Sequence, residues 1–117
     1  MPGISIHVVD VVRGLPAVGM RVALYALGPA GRREIGSGRI GANGQLDHPM
    51  ASGAGIAAGT HEVELAAGEY YRAAGIVQDD PAFQETIAFR FTVGDPREHY
   101  HLPLKISPWG LSVWRGR

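Results

Sequence analysis

The sequence predicts an all-β fold, a two-sheet β-sandwich of seven or eight strands with one short helix. Three observations point there. Seventeen glycines and eight prolines are scattered between short apolar runs, which punctuates a chain of strands and would break long helices. Within those runs apolar and polar residues alternate, the period-2 pattern of strands buried on one face. A plausible short helix is confined to one octet, Gly68 to Gly75.

In chain order, Ile4, Ile6 and Val8 alternate with Ser5, His7 and Val9, a first strand with His7 opposite its isoleucines. A turn at Arg13-Gly14-Leu15-Pro16 leads to a second strand, Met20 to Leu27. After the loop Gly28-Pro29-Ala30-Gly31, the polar run from Arg33 to Ile40 reads as a strand near a sheet edge. Ala42-Asn43-Gly44 is a tight turn followed directly by Gln45, and Pro49 to Gly59 is a loop of small residues. Thr60 to Leu65 alternates again and feeds the helical octet, with Gly75 as its C-cap. Ile87, Phe89, Phe91 and Val93 then face one way, giving the clearest strand of the chain. Finally Tyr100, Leu102, Leu104 and Ile106 alternate with His99, His101, Pro103 and Lys105. A Ser107-Pro108-Trp109-Gly110 turn joins them to a last strand in which Leu111, Val113 and Arg115 alternate with Ser112 and Trp114. Trp109, Trp114, Tyr70 and Tyr71 are most simply core or interface aromatics.

The 117 residues predict a single domain, residues 1–117. A chain of this size buries roughly 65% of its unfolded surface, enough for one core. Eleven basic residues balance eleven acidic ones, so no field draws the protein to nucleic acid or an anionic membrane. Cysteine is absent, which excludes disulfides and thiolate metal sites. The N-terminus lacks a basic, apolar leader pattern, and no stretch approaches the roughly 20 apolar residues that span a bilayer. The expectation is a soluble, cytoplasmic protein.

His7, His99 and His101 all lie opposite the apolar faces of their strands. Imidazoles brought together there would titrate near neutrality and suit general base work, although solvated surface histidines would give the same pattern. His-x-His could offer two metal ligands, but a third at suitable spacing is missing, so no metal is predicted. There is no Gly-x-Ser-x-Gly elbow, cysteine nucleophile or glycine-rich phosphate loop.

His7-Val8-Val9-Asp10, Gly14-Leu15-Pro16-Ala17, Ala42-Asn43-Gly44, Phe89-Arg90-Phe91 and the closing HYHLPLKISPWGLSVWRG together resemble the transthyretin-like family, in particular its 5-hydroxyisourate hydrolases. In those hydrolases the closing segment reads close to HYHVPLLLSPFGYSTYRGS. The resemblance implies two four-stranded sheets with one short helix, assembled as a homotetramer with active sites where dimers meet. It also implies opening of the 5-hydroxyisourate ring by water in urate degradation, with no metal or organic cofactor. His7 and His101 match the two catalytic histidines, and Arg115 and Gly116 match the Arg-Gly that lines the cleft. Three substrate-binding positions depart from the pattern: Gln45 replaces an arginine, Trp114 a tyrosine and Arg117 a serine. Those departures also fit a shifted substrate, such as an N-substituted hydroxyisourate or another cyclic amide, or a non-catalytic small-molecule binding protein.

Overall fold

The computed structural model describes residues 2–48 and 56–116, so most of the small-residue loop and Arg117 lie outside the described residues. The elements are β1 (Gly3–Asp10), β2 (Leu15–Pro16), β3 (Arg21–Gly28), β4 (Gly31–Arg39), β5 (Gly59–Leu65), α1 (Ala67–Ala73), β6 (Ile87–Val93), β7 (His99–Ser107) and β8 (Gly110–Val113). They form two four-stranded sheets, ordered β2-β1-β7-β8 and β4-β3-β5-β6. The period-2 runs thus become strands, and the polar run that β4 occupies lies at a sheet edge. One strand falls within an expected turn. Leu15 and Pro16 pair with Asp10 and Val9, a contact of two residues that is too short to carry any alternation.

The sheets bury one face each. Ile4, Ile6 and Val8 of β1 and Leu102, Leu104 and Ile106 of β7 pack in the same core as Val22 and Leu24 of β3, Val63 and Leu65 of β5, and Ile87 and Val93 of β6. The two inner strands of the first sheet, β1 and β7, run parallel although they come from opposite ends of the chain. That register sets Ser5 beside His101, His7 beside Pro103 and Val9 beside Lys105.

The helix is short and lacks a side-chain N-cap, so tertiary contacts must hold it. Its C-terminus closes with N–H groups of Gly75 and Ile76 donating to the carbonyls of Arg72 and Tyr71, the paired bonds that a glycine after the last turn permits. Tyr70 and Tyr71 are buried, and both hydroxyls donate to Asp10, at 2.9 and 3.0 Å. Asp10 ends β1 fully buried, and it also accepts from the Val12 N–H and from Arg13 Nε, each at 3.0 Å. Arg13 in turn donates to the Tyr70 hydroxyl. Burial pushes the Asp10 carboxyl up, but the bonds from Tyr70, Arg13 and Tyr71 outweigh it and hold the group below its ordinary value.

Trp109 and Trp114 are 54% and 48% exposed, so neither is a core residue of this chain. No helix among the described residues is long and apolar enough to cross a membrane.

Candidate active site

Successive strand residues point to opposite faces, and directly paired residues point to the same one. With Ile4, Ile6, Leu102 and Leu104 inward, Ser5, His7, His101 and Pro103 occupy the outer face of the first sheet. Two chain segments outside the named strands complete this face. Gln45 pairs with His7 along the edge of β1, and Gly116 pairs with His101 along the edge of β7. Gly116 continues the register in which Val113 pairs with Leu104, which sets Trp114 opposite Pro103. Proline has no N–H to give the ladder. The strand is therefore interrupted at Trp114 and Arg115, until the Gly116 N–H donates to the His101 carbonyl at 2.7 Å.

The result is two adjacent rows. One runs Gln45, His7, Pro103, Trp114; the next runs Ser5, His101, Gly116. Five of the sequence-predicted residues, His7, Gln45, His101, Trp114 and Gly116, thus share one surface. Arg115 does not join them. Its guanidinium stacks over the Tyr100 ring at 4.0 Å, pairs with Glu98 at 2.7 Å and donates to the His99 carbonyl at 3.2 Å. Arg117 lies outside the described residues.

Both imidazoles are seated against glycines. A Cβ on Gly44 would stand 2.6 Å from His7 Nε2, and one on Gly116 would stand 2.9 Å from His101 Cδ2. Gly44 also has a φ of +82°, which only glycine adopts without strain. This turn is held by the Asn43 side chain, whose Oδ1 accepts the Gln45 N–H at 3.0 Å. The Gly116 contact carries a prediction, because the His101 ring cannot retreat without losing its own anchor, a 2.7 Å hydrogen bond between Nδ1 and Ser5 Oγ. Gly116→Ala is expected to lower kcat/KM by about tenfold or more with an unchanged circular dichroism spectrum, since misplacing a reacting group by about 1 Å is that costly. Steady-state kinetics with the spectrum as control checks it.

Burial, then the neighbouring His7 and His99, push the His101 pKa below its ordinary value, which favours the neutral ring, with one nitrogen lone pair free, at pH 7. With Nδ1 engaged by Ser5, Nε2 is the ring nitrogen with no hydrogen-bond partner among the described residues. Two further residues belong to this surface. Ser5 carries no motif of its own, and only the parallel pairing of β1 with β7 brings it to His101. Lys105, two positions beyond Pro103 on the same face, holds its ammonium 5.6 Å from the Trp114 ring centroid. The alternation of the segment, which turns Lys105 outward with His101, is the signal for it. Among the described residues no cluster of three or more histidine, cysteine or acidic side chains is placed to hold a metal ion. The cleft of about 440 Å³ lined by Arg21, Tyr25, Glu34 and Arg39 lies on the other sheet and contains none of these groups.

Known proteins carry the same arrangement of chain. A model of the HIUase/Transthyretin family matches residues 4–116. The chain is 42% identical over 113 residues to "5-hydroxyisourate hydrolase 2" of Rhizobium meliloti, covering 97% of this chain and 94% of that one. It is 37% identical over 116 residues to the 5-hydroxyisourate hydrolase of Ralstonia nicotianae, covering 99% of both. Among solved structures, the 5-hydroxyisourate hydrolase of Klebsiella pneumoniae superposes with a TM-score of 0.80 at 26% identity over 100% of both chains. An (S)-allantoin synthase superposes with a TM-score of 0.87 at 31% identity, covering 98% of this chain and 43% of that one. With a two-sheet fold, an outward histidine pair and a family match over nearly its whole length, this chain belongs to the HIUase/Transthyretin family.

Proposed function

We propose that the protein opens the six-membered ring of 5-hydroxyisourate by hydrolysis, with His101 as the base and His7 positioning the attacking water. The observation that carries this reading is the placing of a neutral, anchored imidazole, His101, in the row beside His7, in a chain whose relatives are named for this reaction. His101 Nε2 takes a proton from water as the oxygen bonds to a ring carbonyl carbon. The tetrahedral carbon then releases its ring nitrogen, which takes the proton back from His101, and the new carboxylic acid gives its remaining proton to solvent as the ring-opened carboxylate. Gln45, an exposed neutral amide beside His7, can donate to a substrate carbonyl or accept from a ring N–H.

The histidine face is an open surface with Val9, Pro103 and Trp114 around it, and a second pair of protomers laid against it would turn it into a cleft. We accordingly take the working form to be a homotetramer, with the sites enclosed where dimers meet. A second reading rests on Gln45 and Trp114: a neutral amide and a bulky aromatic suit a less anionic, larger ligand, such as an N-substituted hydroxyisourate.

The test is the loss of ultraviolet absorbance of freshly generated 5-hydroxyisourate, followed across pH with and without protein. The protein is expected to accelerate it, with kcat/KM level around pH 7 and falling only below 6.5, the ordinary histidine value, because the His101 pKa is lowered. Decay at the buffer rate contradicts the proposal. Faster turnover of an N-methylated than of the plain compound selects the second reading.

A further inference from the structure

We propose that Ser5 is a positioning residue that fixes which ring nitrogen of His101 carries the proton, an inference that rests on His101 being the base. Ser5 Oγ lies 2.7 Å from His101 Nδ1 and 2.8 Å from His99 Nε2. The parallel register builds this bridge. It sets Ser5 opposite His101, while His99 stands opposite Gly3, so no side chain of β1 separates the His99 ring from Ser5.

A hydroxyl has one proton, so between two imidazole nitrogens it donates to one and accepts an N–H from the other. That leaves two arrangements. In one, His99 Nε2–H donates to Ser5 and Ser5 donates to His101 Nδ1. The His101 proton then sits on Nε2, and that nitrogen can only donate to the substrate side. In the other, His101 Nδ1–H donates to Ser5 and Ser5 donates to His99 Nε2. Nε2 of His101 then keeps its lone pair and can accept a proton from water. Only the second arrangement makes His101 a base at its open nitrogen, and His99 is the acceptor that permits it.

The same chain acts during the reaction. When Nε2 takes the water proton, His101 becomes an imidazolium and its Nδ1–H bond to Ser5 becomes charge-assisted, which strengthens it. Ser5 passes the polarisation to His99 through its own O–H. The proton itself stays on His101 Nε2 until the leaving ring nitrogen takes it, so no proton is lost along the chain. A flipped ring would set Cδ2 against Ser5 and give up the Nδ1 bond, so the same 2.7 Å contact also holds the orientation of the ring.

The experiment combines kinetics with ¹⁵N spectra of histidine-labelled protein, in which couplings between ring nitrogens and carbon-bound protons report the tautomer. In the unmutated protein neutral His101 is expected to carry its proton on Nδ1. Ser5→Ala is expected to move it to Nε2 and to lower kcat by about 10²- to 10⁴-fold, with KM changed less than about twofold, the upper end being what loss of the correct tautomer costs in another histidine base. Ser5→Thr, which keeps the hydroxyl on a strand that tolerates β-branching, is expected to restore most of that loss. His99→Phe removes the acceptor by a separate route and is expected to shift the His101 proton to Nε2 with Ser5 intact. A His101 proton already on Nε2 in the unmutated protein, or a Ser5→Ala protein with unchanged tautomer and kcat, overturns the inference. The spectra need no substrate. A protein inactive on 5-hydroxyisourate whose Nδ1–H tautomer still collapses in Ser5→Ala therefore fails the proposed function and supports the role of Ser5.

Discussion

His101→Asn is expected to lower kcat/KM for 5-hydroxyisourate by about 10²- to 10⁴-fold while leaving the fold intact, the range that loss of a general base produces. Asparagine is polar and can still bond Ser5, so the sheet face should survive. What it lacks is a nitrogen able to take a proton at neutral pH, and nothing else in the row of Ser5 and Gly116 can replace it. His7, in the neighbouring row and proposed to position the water, has no comparable anchor among the described residues: its ring is seated on Gly44, whereas His101 is tied to Ser5. Initial rates from ultraviolet absorbance, with circular dichroism as control, check the prediction. A variant within about twofold of the unmutated rate would remove His101 from the mechanism.

Asp10→Ala is expected to have the largest effect on stability, about 3–5 kcal/mol, because it strips several partners at once from a buried network. The hydroxyls of Tyr70 and Tyr71 lose their acceptor inside the core, and Arg13 loses its carboxylate. The helix, which has no side-chain N-cap, loses the anchor that joins it to β1. The linkage has a definite sign. The folded Asp10 carboxyl lies below its ordinary value of 3.8, so its contribution is fully present above that pH and is lost as pH falls through the folded value. Urea denaturation as a function of pH should therefore show a loss of stability below about pH 4 that is smaller in Asp10→Ala. A variant with unchanged urea midpoints would show that the network contributes nothing net.

The strands were legible where alternation was long enough to state a face. Ile4 to Val8, Ile87 to Val93 and Tyr100 to Ile106 each place their apolar residues inward as their spacing requires. The pairing of β2 was not legible, since two residues have no period, and the burial of Asp10 was not, since a carboxylate at a strand end reads as part of a turn. The outward direction of His7 and His101 followed from spacing, but their proximity did not. It depends on a parallel pairing between the first and penultimate strands, which no local pattern encodes. Ser5 is hidden for the same reason. The closing segment shows the two kinds of sequence reading side by side. Alternation separates Arg115 from Trp114 and Gly116, and in this chain its guanidinium turns to Tyr100 and Glu98. The family resemblance is what associates all three with one cleft.

The central claim is that a histidine-activated water opens the ring of a cyclic ureide on this sheet face. ¹³C NMR of freshly prepared 5-hydroxyisourate mixed with the protein in ¹⁸O-labelled water tests it most directly. The ring-opened carboxylate should form faster than in buffer, with one ¹⁸O atom bound to the new carboxyl carbon. Disappearance of the substrate at the buffer rate, or a carboxylate free of ¹⁸O, would contradict it.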